Sequence, residues 1–239
     1  MFSIPGRKIG SPPKADFFLG SPCLLTIFSR FFLLTTYLLV SIVFLRCKMS
    51  SQKDTKAEIL DLAEELLLTR GFKGFSYGNI SSVLKIKNAA VHYYFPAKAD
   101  LGLAIIQRAR ERFAIWTQDK RMAGKPATEK LEAYFRSYLR FLEAGQQVCL
   151  GGALEADFKT LPSEMQVETQ KFVSDILGWM EGVIEEGLEK HIFSFPGEAR
   201  DQAILILSSL QGALQMTRAV GSSCLLLAMG QIRRLTSRV

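Results

Sequence analysis

The chain has 239 residues, 48% of them hydrophobic and 22% charged, with a formal net charge of +7. That length and apolar content exclude a disordered tail or a disulfide-stapled mini-protein and allow a buried core in one or two domains. The charge argues only weakly for an acidic partner: residues 1–48 carry Arg7, Lys8, Lys14, Arg30, Arg46 and Lys48 against Asp16 alone, and the rest is only mildly basic.

Residues 17–45 are almost uncharged, with Arg30 the single interruption. The cleanest apolar run, 31–45, falls short of the roughly 20 residues a spanning helix needs. The "RCK" at 46–48 offers no signal-peptide cleavage site. Met49 is followed by an ordinary soluble start, so residues 1–48 are expected to be an over-extended start; a membrane anchor in 17–45 is the alternative. Cys23, Cys47, Cys149 and Cys224 have no paired spacing, and His92 and His191 are the only histidines. This predicts no metal site, no cofactor and no disulfide framework, in a reducing cytoplasm.

From residue 49 onward the apolar period is helical, which predicts an all-α protein. Thr55 and Glu58 form a capping box that opens a helix with Ile59, Leu62, Ala63, Leu66 and Leu67 on one face, stopped by Gly71. A short helix over 77–84 is entered by Ser76, and after the turn "KIK" a second spans about 88–95. Pro96 separates these from a long helix over 98–120. The stretch "MAGKPATEK" (122–130) is the clearest break. Further helices are predicted near 127–144, 149–158, 163–190, 198–219 and 223–237. The last two are apolar nearly all round, so they are expected to meet a second copy of the chain, giving a homodimer through residues 198–239.

Two short helices joined by a tight turn, supported by a longer first helix, make a helix-turn-helix. In that device the second helix enters the major groove of double-stranded DNA, N-terminal residues toward the bases. Asn88 can pair with adenine, and Ala89 and Ala90 permit close approach. Aromatic hydroxyls and Lys98 suit phosphates. From Arg70 to Ala99 there are five basic residues (Arg70, Lys73, Lys85, Lys87, Lys98) and no acid.

The segment "FSYGNISSVLKIKNAAVHYYFPAKADL" resembles the DNA-binding signature of the TetR/AcrR regulators, without a gap over residues 54–114. Ile80 falls on that family's buried isoleucine, Ile86 on its turn valine, and Tyr94-Phe95, Lys98 and Leu101 on their counterparts. The resemblance implies a dimeric repressor with a DNA-binding domain at 49–114, a helical ligand-binding and dimerisation domain at 115–239, and an operator as partner. It places Ser76 and Tyr77 at phosphate, Asn88, Ala89 and Ala90 at bases, and His92, Tyr93 and Lys98 on the backbone. Two positions depart from the pattern. Lys85 replaces the usual turn glycine and must adopt a left-handed conformation; Lys87 replaces the usual capping Ser or Thr, though it can reach phosphate.

The segment "CLGGALEADFKTLPSEM" (149–165) is similar to a subgroup of that family that senses reactive electrophiles. Cys149, near a helix N-terminus, is there either a sensing thiolate or a small buried hydrophobe. Phe113, Trp116, Phe135, Tyr138, Phe141, Phe158 and Trp179 either line an apolar inducer pocket or are plain core. Together these features predict a small apolar or electrophilic inducer. No nucleophile, phosphate-binding or paired-carboxylate motif appears, so an enzyme is not expected. The rival readings are a membrane-tethered regulator and an all-α module that does not bind DNA.

Overall fold

The structure, a computed structural model, describes residues 55–144 and 148–236. The expectations for a start at Met49 and an anchor at 17–45 lie outside the described residues. Among those described there is no strand, and no helix is long and apolar enough to cross a membrane.

Helix α1 covers residues 55–70, so Thr55, expected as its cap, is already helical. It buries Ile59, Ala63, Leu66 and Leu67. Gly71 ends it at φ 75°, ψ 168°, a conformation open in practice only to glycine. A 3₁₀ turn, Phe72–Gly74, then leads to α2 (Tyr77–Leu84), α3 (Asn88–Tyr94) and α4 (Lys98–Gln118). At the start of α2 the Ser76 N–H donates to Asn79 Oδ1 at 2.8 Å. Lys87 supplies no side-chain cap to α3, as its replacement of Ser or Thr implies. The Ala97 N–H donates to Asp100 Oδ2 at 2.8 Å and closes the first turn of α4.

Lys85 adopts the left-handed conformation expected of it, φ 55° and ψ 37°, with Ile86 N donating to Ser81 O at 3.0 Å. A lysine there carries about 1–2 kcal/mol of strain, partly offset in glycine by its own entropy loss. Lys85→Gly should therefore stabilise the protein by about 0.5–1 kcal/mol. A urea midpoint that falls instead would place a compensating contact on the lysine side chain.

A short α5 (Lys120–Ala123), not foreseen in the sequence, is capped by Asp119, which accepts from Arg121 N at 2.8 Å. There follow α6 (Ala127–Glu143), α7 (Leu150–Asp157), α8 (Ser163–Glu189), α9 (Ala199–Val220) and α10 (Ser223–Thr236). Two apolar cores result. One joins α1–α4 to α7 and the first half of α8, through Leu67, Ile80, Ile105, Leu154 and Met165. The other joins α6, the second half of α8, α9 and α10, through Phe135, Met180, Ile206, Leu210 and Met229. Helix α4 contributes to both, since Phe113 packs against each. The DNA-side helices are fixed to the rest by polar links as well. Phe72 N donates to Asp157 Oδ2 at 3.2 Å, and Arg110 on α4 pairs with Glu168 and with Asp175 (2.8 Å) on α8.

Candidate DNA-binding surface and ligand cavity

Helix α3 is anchored by Val91, fully buried, and by Phe95 just beyond its end. With Val91 inward, helical spacing turns Asn88, Ala89, His92 and Tyr93 outward on one face, and all four are exposed. Ala90 is half-buried; Ser76 and Lys87 are exposed. Tyr93 is 69% exposed, far too open to be core, and its ring stands edge-on to Tyr94 at 5.1 Å. Asn88 Oδ1 accepts from Ser81 Oγ at 2.5 Å, which orients the amide while its second lone pair and its NH₂ group stay available to a base.

Three expected phosphate contacts change in character. Tyr77 is buried: its hydroxyl donates to Phe95 O at 2.7 Å, and burial, with Asp100 nearby, pushes its pKa up to about 12. It therefore ties α2 to the end of α3 and presents no hydroxyl to DNA. Lys98 is also turned inward, donating to Phe72 O (2.5 Å) and Phe75 O, over both phenylalanine rings at 4.7 and 4.3 Å from their centroids. Burial holds its pKa below the ordinary lysine value. It is a brace for the turn between α1 and α2. His92 Nδ1 lies 3.2 Å from Pro96 O; a carbonyl only accepts, so that nitrogen carries the proton. Nε2 can then donate to phosphate only in the imidazolium form.

A cavity of about 390 Å³ lies between helices, within the size range of small-molecule sites. Its walls come from α1 (Glu64, Leu68), α4 (Ala109, Arg112, Phe113, Trp116), α6 (Tyr134, Ser137, Tyr138, Arg140, Phe141), the start of α7 (Cys149 to Gly151), α8 (Phe172, Ile176) and Gln211 of α9. Of the aromatic residues expected there, Phe113, Trp116, Tyr138 and Phe141 line it. Phe135 does not: it is buried in the second core, with the Arg233 guanidinium over its ring at 5.0 Å. Phe158 lies in the turn after α7, away from the lining, and Trp179 stands behind it, packed on Trp116 at 5.0 Å and on Phe113 at 5.9 Å. Periodicity alone gave no signal for Glu64, Ser137, Arg140 or Gln211.

Cys149 caps α7, its Sγ accepting from Gly152 N at 3.3 Å with the Tyr138 hydroxyl 3.9 Å away. It is 9% exposed, and burial pushes its thiol up despite those two donors. The expected lowering by the helix N-terminus is thus outweighed by desolvation. Among the described residues no group of three His, Cys, Asp or Glu could hold a metal ion.

A three-helix unit that exposes one acid-free helix face, joined to a helical unit with a cavity, is the architecture of a DNA-binding transcriptional regulator. Residues 59–105 match the family described as bacterial regulatory proteins, tetR family. That match runs from α1 into α4 and so covers the whole helix-turn-helix. It is 24% identical over 166 residues to the HTH-type transcriptional repressor NemR of Escherichia coli K12, covering 68% of this chain and 83% of that one. Its fold is similar to a TetR-family regulator from Agrobacterium tumefaciens, at TM-score 0.73 and 24% identity, covering 78% of this chain and all of the other. A TetR regulator from Legionella pneumophila is similar at TM-score 0.66 and 28% identity, over 75% of this chain and 96% of that one.

Proposed function

We propose that this protein is a cytoplasmic repressor that binds operator DNA as a homodimer and is released by a small ligand entering the cavity, acting by binding rather than catalysis. The observation that carries the reading is the shared wall. Glu64 and Leu68 belong to α1 of the DNA-binding unit, yet they line the cavity opposite residues of α6 and α8. A ligand there touches the DNA-side helices directly, and any ligand with different affinity for two arrangements shifts their balance. The functional division stays at 49–114 and 115–239, with α4 common to both.

Base reading is assigned to Asn88, Ala89 and Ala90, and phosphate contact to Ser76, Lys87, Tyr93 and His92. The homodimer is assigned to residues 198–239. Support comes from a stripe of exposed apolar side chains on α9 (Ile204, Leu205, Met216, Val220) and α10 (Leu226, Leu227, Leu235).

The test is selection of genomic fragments by the pure protein, followed by gel-shift titration. Asn88→Ala should cost about 1–3 kcal/mol and relax preference at one position per half-site. Equal affinity of wild type for every fragment, or an unchanged preference in Asn88→Ala, would refute the assignment.

Cys149 supports a second route to release, because the residue belongs to the cavity wall. An electrophile held in the cavity would be close to it. Wild type treated with a small enal should then be alkylated at Cys149 and lose its operator, while Cys149→Ser keeps it. If the serine variant responds equally, the thiol is only part of the wall.

A further inference from the structure

The charged groups around the cavity do not all neutralise one another. Glu64, the one acid on its lining among the described residues, accepts from Arg112 Nη2 and from Arg108 Nη2, both at 2.5 Å. Arg108 also pairs with Asp61 at 2.5 Å. Two acids and two arginines are thereby matched. Arg140, in the last turn of α6, is left over: its guanidinium meets no ion-pair or hydrogen-bonding partner among the described residues, and it is exposed while lining the cavity. An aromatic hollow thus carries one unmatched, permanently charged fork at its edge.

We propose that the ligand is an apolar anion: a compact aromatic or branched hydrocarbon body bearing a single carboxylate or comparable acid, body against Phe113 and Trp116, acid on Arg140. This deepens the ligand-release reading above and rests on it. A guanidinium receives a carboxylate through two parallel N–H donors, which fixes the ligand's orientation as well as its sign. The volume, near the lower end for small-molecule sites, suits a body of one or two rings. Aromatic walls also attract cations. Here, however, Glu64 is already engaged by two arginines, and the unmatched Arg140 would repel a positive ligand. A neutral body of the same shape would leave Arg140 without a partner and gain nothing from it.

The chain's two tryptophans, Trp116 on the cavity wall and Trp179 packed behind it, make intrinsic fluorescence a direct reporter of occupancy. Three probes share one body: 4-tert-butylbenzoate, 4-tert-butylbenzyl alcohol and (4-tert-butylbenzyl)trimethylammonium. Each is titrated into the full chain by fluorescence and calorimetry. The benzoate should bind tightest, weaken in high salt, and lose about tenfold in affinity in Arg140→Met, a change of about 1.4 kcal/mol. The alcohol should bind equally to wild type and to Arg140→Met. Benzoate binding that ignores Arg140→Met, or an alcohol or ammonium that binds as tightly as the benzoate, overturns the anion assignment and leaves the cavity as a ligand site. If no probe binds, or binding survives filling the cavity with Ser137→Trp, the ligand-site reading falls as well.

Discussion

A Leu226→Glu, Leu227→Glu variant should run as a monomer and bind its operator at least about a hundredfold more weakly, because two linked recognition helices gain that order of avidity over one. The two leucines are 54% and 68% exposed on α10, beside the apolar stripe of α9, whose centre is Gly212 with open space in front of it. Glutamates there would be buried unpaired in the shared core, a cost of several kcal/mol. Sedimentation and gel shift on the same samples check the result. A double variant that stays dimeric would place the interface on another face. Leu210→Glu, which the sequence equally suggests as an interface probe, asks a different question: Leu210 is 0% exposed within its own chain, so a charge there should unfold the second core.

The second large effect concerns Lys98. Lys98→Met keeps the stem over the two phenylalanine rings and removes only the ammonium. It should destabilise the protein by about 2 kcal/mol, since two carbonyls lose a charged donor and the cation–π contacts go with it. That corresponds to a fall in Tm of about 4–8 °C for a chain of this size. Once stability is restored by lower temperature, the salt slope of DNA binding should match wild type. A slope reduced by about one, with stability unchanged, would return Lys98 to the phosphate backbone.

The sequence made the helices legible because their signals are local. Apolar spacing, Gly71, Pro96, Pro126 and the Phe195–Gly197 break fall where helices α1, α4, α6 and α9 end or begin. The recognition helix was legible for the same reason, through small residues, an amide and an absence of acids. What stayed hidden depends on direction. Tyr77 and Lys98 look identical in sequence whether they face DNA or the carbonyls of Phe95, Phe72 and Phe75. On a helix as apolar as α9, Leu210 and Met216 differ only in phase, and no polar residue marks which is inward. Cys149 shows its helix N-terminus in sequence but not its burial, which reverses the effect on the thiol. The cavity draws Glu64, Ser137, Arg140 and Gln211 from three helices, a grouping that only tertiary packing creates.

Helix α4 runs unbroken for 21 residues, with Lys98 and Leu101 at its DNA end and Arg112, Phe113 and Trp116 on the cavity. At 1.5 Å per residue it is a rod about 31 Å long, and a tilt of about 5° at one end carries the other about 2–3 Å. Hydrogen bonds to base edges fail within about 1 Å of displacement. In the release proposed above, the helix would serve as a lever whose mechanical advantage lets a small adjustment around Trp116 be read as loss of register in the major groove. Shortening or hinging that rod, for instance with a glycine pair near Ala109, would uncouple occupancy from release while leaving both ends able to bind.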